Sequence, residues 1–273
     1  MTLLVAWTGV DTHGTASAYV AADSRVTWGA LAKFDLGRKV YGLDNFPDIF
    51  GYCGDVLFPT LVLGQISEMA DAGLLFDLNA TPIKKSDAVA LKLREQFDKY
   101  PADVNEITAD VIQVLHISRD LANPPEFKAY LYQWHRAHGW SKSELTLPGQ
   151  SGLLSVLGSG AVDFKNRFKK YNVGPTKGTS RAVFHCFCQT VASGTAPGVG
   201  GAPQLVGLYR GKEPKAVKYG IIVGNSRFIF GASIEDTVSP GGVEWRNDLF
   251  EICDGNTKQR RQDAQPQPDP LAG

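Results

Sequence analysis

Threonine stands at position 2, directly behind the initiating methionine. Methionine before a small residue is commonly trimmed, and trimming would make Thr2 the chain terminus. A terminal threonine combines nucleophile and base: its hydroxyl attacks while its own α-amine, titrating near ~8 in free peptides, accepts the proton directly or through one water. Met-Thr starts are common, so this feature alone carries little weight. Other reactive groups are sparse. Cys53, Cys186, Cys188 and Cys253 form no Cys-x-x-Cys pair and read as buried free thiols. His135-x-x-His138 has no nearby Cys or Glu to complete a zinc set and reads as loop. His185-Cys186-Phe187-Cys188 falls in a helical pattern and reads as core. Gly158-Ser159-Gly160 lacks the full nucleophile-elbow motif and has no ordered acid and histidine after it. The glycine-rich run 194–201 follows a helix instead of opening one, which makes it a poor phosphate cradle. No cofactor and no metal is expected.

These groups must be positioned by 273 residues with 43% hydrophobic content, enough for a full core. Lys plus Arg total 28 and Asp plus Glu total 28, so zero net charge offers no grip on nucleic acid or an anionic membrane. No run reaches the roughly 18 apolar residues of a membrane span, and the N-terminus lacks a basic leader region. A cytoplasmic chain is expected, with a single domain over 1–253 and a disordered polar tail over 254–273.

Short apolar runs at 3–7 and 18–22 flank a turn-rich stretch and predict an N-terminal hairpin. A second hairpin is predicted over 39–43 and 48–53. Helical periodicity then starts near Asp55, with Val56, Leu57, Leu61, Val62 and Ile66 as its apolar face, and again at Ser86 through Tyr100. Strands are predicted over 109–117, 127–135 and 153–157, helices over 162–171 and 179–193, and strands over 204–209, 217–223 and 227–230. Strands and helices thus come in segregated blocks, which argues against a doubly wound parallel sheet. The predicted class is α+β: a four-layer αββα sandwich, two stacked antiparallel sheets flanked by helix pairs.

The stretch Val20-Ala-Ala-Asp23-Ser24-Arg25-Val-Thr27-Trp-Gly29, with Lys39-Val40, Gly51-Tyr-Cys-Gly54 and the Thr2-Leu-Leu-Val start, resembles the β-type subunits of the proteasome family and the bacterial proteasome-like peptidases. The likeness is strongest over residues 2–64, where motif and spacing agree, and Gly158-Ser159-Gly160 recovers it later. These are N-terminal nucleophile hydrolases with an αββα sandwich. The resemblance implies that Thr2 is the nucleophile, with Asp23 and Lys39 as its charged neighbours. An ammonium there would lower the pKa of the hydroxyl and favour the neutral α-amine, while Asp23 would keep the lysine ionised. It further implies that the Gly54 backbone N–H faces the developing oxyanion and that Ser159 bonds the terminal amine. Taken singly, Asp23 and Arg25 read equally as a surface ion pair, and Lys33 is another lysine near the hairpin. The joint spacing of Thr2, Asp23, Lys39 and Gly54 favours catalysis.

One departure stands out. The family's supporting aspartate and serine would fall on Ala196 and Val199, although the following glycine pair, Gly200-Gly201, is present; Ser193 or Thr195 could rebuild the support. Val26, Gly37, Tyr41, Tyr52 and Val56 resemble positions lining the family's primary side-chain pocket, which implies apolar or aromatic substrate residues. The expected function is a threonine-type endopeptidase acting on peptides or unfolded proteins, assembled as a homo-oligomeric ring or spiral, with any ATPase unfoldase supplied by a separate chain. The alternatives are a catalytically silent assembly or regulatory subunit, or a small-molecule amidase on the same fold. Exposed apolar residues near Leu74, Leu75 and Phe76 would suit subunit contacts, and core burial explains them equally well.

Overall fold

The structure, a computed structural model, describes residues 2–101, 110–173, 176–211 and 213–266. The chain opens with β1 (Leu4–Asp11) and β2 (Gly14–Ala22), a small hairpin of β3 (Val26–Trp28) and β4 (Ala32–Phe34), then β5 (Val40–Gly42) and β6 (Asp48–Cys53). Helices α1 (Leu57–Asp71) and α2 (Pro82–Lys99) follow. Next come β7 (Val111–Arg119), β8 (Phe127–His135), β9 (Gly139–Leu145) and β10 (Gly152–Leu157), then α3 (Ala161–Tyr171) and α4 (Ser180–Ser193). The last strands are β11 (Gln204–Tyr209), β12 (Val217–Val223), β13 (Ser226–Ile229), β14 (Ala232–Ile234), β15 (Glu244–Arg246) and β16 (Ile252–Cys253).

One sheet runs in the order β10-β1-β2-β11-β12-β13-β14, with β15 on β12 and β16 on β15; another runs β5-β6-β7-β8-β9. The architecture is therefore α+β with antiparallel sheets, and β12 with β15 is a parallel exception. β1 shows why its sequence lacks polar alternation. Leu3, Val5 and Trp7 pack with Phe164 of α3 and Phe184 and Phe187 of α4. Leu4 and Ala6, pointing the other way, pack with Ile49, Leu115 and Ile117 of the second sheet. A strand buried on both faces is apolar throughout. A third apolar body joins Phe50, Tyr52 and Val114 to Phe58, Ile66, Val89 and Leu93 of α1 and α2.

Three expectations need correcting. In α1 the buried stripe is Phe58, Val62, Leu63, Ile66 and Ala70, while Leu57 and Leu61 are half exposed. Spacings of four, five and eight residues select this stripe once Phe58 anchors it among Phe97, Tyr100 and Trp140. Helix α2 begins a turn earlier than Ser86, with Pro82 in its first turn, where a missing N–H costs nothing. The tail is not loose from Asp254. Over 254–266, Arg261 N–H donates to Ile252 O at 2.9 Å, Arg260 bridges Cys253, and Arg227 donates to Gly255 O at 3.2 Å. Here hydrogen bonds to backbone replace apolar packing, so composition gives no warning of order. Residues 267–273 lie outside the described residues. Among the described residues no helix is long and apolar enough to cross a membrane.

Candidate active site

The β1–β2 hairpin does the first positioning. Its register pairs Leu4 with Ala22, which sets Leu3 opposite Asp23: Asp23 N–H donates to Leu3 O at 3.2 Å, and Leu3 N–H donates to Asp23 Oδ1 at 3.0 Å. The turn-rich stretch between the two apolar runs is mostly strand: pairing continues out to Asp11 opposite Gly14, with a register shift between Gly9 and Val10, and only a two-residue turn remains at the end far from Thr2. Thr2 itself is buried, and Met1, whose trimming the chemistry requires, lies outside the described residues.

Asp23 and Lys39 are brought together. Lys39 Nζ lies 2.9 Å from Asp23 Oδ1, with both side chains fully buried, and donates to Arg25 O at 2.5 Å. Asp23 Oδ2 accepts from Gly200 N–H at 3.1 Å and Arg25 N–H at 3.2 Å. Burial holds the Lys39 pKa below the ordinary lysine value, against the opposing pull of the Asp23 charge. The surface pair of Asp23 with Arg25 does not form. Arg25 instead grips Asp35 in a bidentate contact at 2.7 and 2.8 Å, and donates to Pro197 O and Val199 O at 3.3 and 3.2 Å. Asp35 carries no sequence signal beyond its charge and went unpredicted.

The second support comes from β10, which pairs with β1 so that Leu157 faces Leu4 and the chain then wraps Thr2. Thr2 N–H donates to Ser159 Oγ at 3.3 Å, and Gly160 N–H donates to Thr2 O at 3.2 Å. Gly158 has φ +88°, and a Cβ there would lie 2.1 Å from Thr2 O, so only glycine admits this approach. Gly54 follows β6 with φ +105°, and a Cβ there would meet Val111 O at 2.1 Å. Contact with the β7 backbone thus demands this glycine whether or not substrate approaches it.

The predicted pocket positions are tightly filled. Tyr41 and Tyr52 are buried, with the Tyr52 hydroxyl 2.7 Å from Thr60 Oγ1 and donating to Arg38 O at 3.0 Å. Val26 is buried and packs so close to Gly37 that a Cβ on Gly37 would lie 2.6 Å from Val26 Cγ2. Val56 is half-buried at the start of α1. The Arg38 guanidinium lies 4.2 Å from the Tyr41 ring centroid and 4.4 Å from that of Phe230, a cation beside positions read as uncharged. Val199 packs into the core with Leu3, where the family's serine would fall. Ser193 and Thr195 bond to one another at 3.0 Å, and Ser193 Oγ donates to Thr190 O, an α4-terminal arrangement. Leu74 is exposed in the α1–α2 turn, whereas Phe76 is buried edge-on against Phe46. Among the described residues no group of three or more His, Cys, Asp or Glu is placed to hold a metal.

The arrangement of sheets and helices is similar to that of solved Anbu chains, described as an ancestral β-subunit. Its solved counterparts include the Anbu complex of Pseudomonas aeruginosa in a helical assembly, with a TM-score of 0.55 and 16% identity over 77% of this chain and 82% of that one. Anbu, the ancestral β-subunit, from Yersinia bercovieri superposes with a TM-score of 0.54 and 10% identity over 79% and 87% of the two chains. Anbu from Hyphomicrobium sp. strain MC1 gives 0.51 and 12% over 79% and 86%. No family model and no curated relative matched the sequence.

Proposed function

We propose that this chain is a threonine-type N-terminal nucleophile hydrolase that cleaves peptide bonds through an acyl-enzyme on Thr2. The observation that carries this is the fully buried Lys39–Asp23 couple, bonded through Asp23 Oδ1 to the residue next to Thr2. Lys85–Asp48 is equally buried, so what singles out Lys39–Asp23 is its bond to Leu3 N–H, one residue from Thr2. In the proposed reaction Met1 is removed, the Thr2 hydroxyl attacks the carbonyl and its proton passes to the α-amine. That amine then protonates the leaving amine, and water releases the acyl group by the reverse relay. Lys39 stabilises the forming alkoxide, Ser159 orients the amine, and the Gly54 N–H faces the oxyanion. The pocket of Val26, Gly37, Tyr41, Tyr52 and Val56 belongs to this reading. So do a single domain with a four-layer αββα arrangement, a cytoplasmic setting, a homo-oligomeric ring or spiral, and a separate unfoldase.

Val199 and Ala196 favour a second reading, a silent assembly subunit, because two polar supports of the amine are replaced by apolar groups. Hydrolysis of a fluorogenic peptide panel by the Met1-processed chain separates the two. The enzyme reading expects turnover that Thr2→Ala abolishes. Turnover unaffected by Thr2→Ala, or none with any peptide, would sink the peptidase assignment.

A further inference from the structure

Gln204 heads β11 and is fully buried. An amide at that depth must satisfy both its ends. Its Oε1 accepts from Lys39 N–H at 3.0 Å. Its Nε2 lies 2.7 Å from Gly37 O, 2.9 Å from Ser24 Oγ and 3.2 Å from Asp23 O, so its two protons are shared among three acceptors. Ser24 continues the lattice: its hydroxyl donates to Ala202 O at 2.5 Å, its N–H donates to Gly200 O at 3.0 Å, and its O accepts from Gly37 N–H at 2.9 Å. The Gln204 side chain thereby joins two segments, the end of β2 that carries Asp23 and the stretch before β5 that carries Lys39. Ser24 and Asp23 tie these in turn to the glycine turn, through Gly200 O and Gly200 N–H.

We infer that Gln204 is the positioning residue of this site, fixing the Lys39 backbone against Asp23 so that Nζ meets Oδ1 at 2.9 Å. The inference rests on the hydrolase reading above. A lysine stem is flexible, so an ammonium placed to a few tenths of an ångström needs its backbone anchored as well as its tip. Neither Lys39 nor Asp23 can supply that anchor, because their charged ends are already committed to one another. Only an amide provides an acceptor for Lys39 N–H and donors for Gly37 O and Ser24 at the same point. An ionised glutamate lacks the donors, and methionine lacks both. Gln204 acts on the reaction through Lys39 and Asp23.

The test compares the full processed chain with Gln204→Met and Gln204→Glu in two measurements. Hydrogen exchange of the Lys39 amide should be faster by at least ~100-fold in Gln204→Met, with amides of β7 and β8 unchanged. Gln204→Glu, which keeps the acceptor, should hold Lys39 protection within ~10-fold of the parent. Reaction of Thr2 with a peptide epoxyketone should lose at least ~30-fold in maximal rate in Gln204→Met, with half-saturation changed by less than ~3-fold. Unchanged Lys39 protection, loss spread evenly through β7 and β8, or an effect confined to half-saturation would each overturn the assignment. Expected exchange behaviour with no adduct on the parent Thr2 would leave the anchor standing and overturn the hydrolase reading instead.

Discussion

Removing either partner of the buried Lys39–Asp23 couple should destabilise the protein unequally, and the hydrogen bonds set the order. Asp23 has four donors: Lys39 Nζ, Leu3 N–H, Gly200 N–H and Arg25 N–H, at 2.9, 3.0, 3.1 and 3.2 Å. Lys39 Nζ has two acceptors, Asp23 Oδ1 and Arg25 O. Lys39→Met keeps the stem volume and leaves the carboxylate with three backbone donors, so the cost should be about 1–2 kcal/mol. Asp23→Asn leaves a buried ammonium without its counter-charge and turns an amide NH2 toward at least one backbone N–H, so the cost should be about 3–5 kcal/mol. Urea unfolding followed by fluorescence of the five tryptophans measures both, provided the slope stays constant and only the midpoint moves. Both variants should lose at least ~100-fold in reactivity at Thr2, because each removes preorganised charge. Equal stability losses, or a greater loss for Lys39→Met, would refute the reasoning.

Further outcomes are expected elsewhere. His116 is fully buried between Asp48 Oδ1 at 2.8 Å and the Tyr132 hydroxyl at 3.0 Å, with Lys85 on the other Asp48 oxygen at 2.7 Å. Burial outweighs the Asp48 pull and holds the His116 pKa below the ordinary value, so the unfolded chain binds a proton that the folded one refuses. Stability should therefore fall as pH drops from about 6.5 toward 5, by at most about 1.4 kcal/mol per unit, and His116→Gln should remove that slope from urea midpoints. Gly158→Ala should cost at least about 2 kcal/mol and block labelling of Thr2, since its Cβ would strike Thr2 O. Gly64→Ala, mid-helix in open space, should raise stability by up to about 1 kcal/mol without touching labelling. Burial pushes the Cys53 and Cys186 thiols up to about 12 and Cys253 to about 11, so alkylating reagents should leave native activity intact. Inhibition by thiol reagents at neutral pH would point to a cysteine nucleophile.

The segregated order of strands and helices was legible because long apolar runs and 3.6-residue periods mark β2, β8, β11, β12 and α4 directly. β9 was missed: Gly139-Trp-Ser-Lys-Ser-Glu-Leu145 is an edge strand, half exposed, and only its pairing with β8 makes it a strand. The short β14, β15 and β16 carry too few residues for a periodic signal: β14 pairs with the adjacent β13, β16 with β15, and β15 in parallel with the distant β12, while Ile234, Trp245 and Cys253 pack with Ile222 and Arg227 donates to the carbonyls of Glu235, Val238 and Gly255. For the candidate site, motif spacing singles out Thr2, Asp23, Lys39 and Gly54, and the family resemblance adds Ser159; in the fold Asp23 meets Lys39 and Ser159 meets Thr2. Gln204 and Asp35 were invisible because their roles depend on long-range approach to Lys39 and Arg25. The only hint for Gln204 is a polar amide heading an otherwise apolar strand.

Peptide mapping by tandem mass spectrometry, after incubation with an N-terminal-threonine-directed epoxyketone, tests the central claim most directly. The account predicts a chain lacking Met1 with the adduct on Thr2, and loss of that adduct in Lys39→Met. A retained Met1, or an adduct on any other residue, would contradict it.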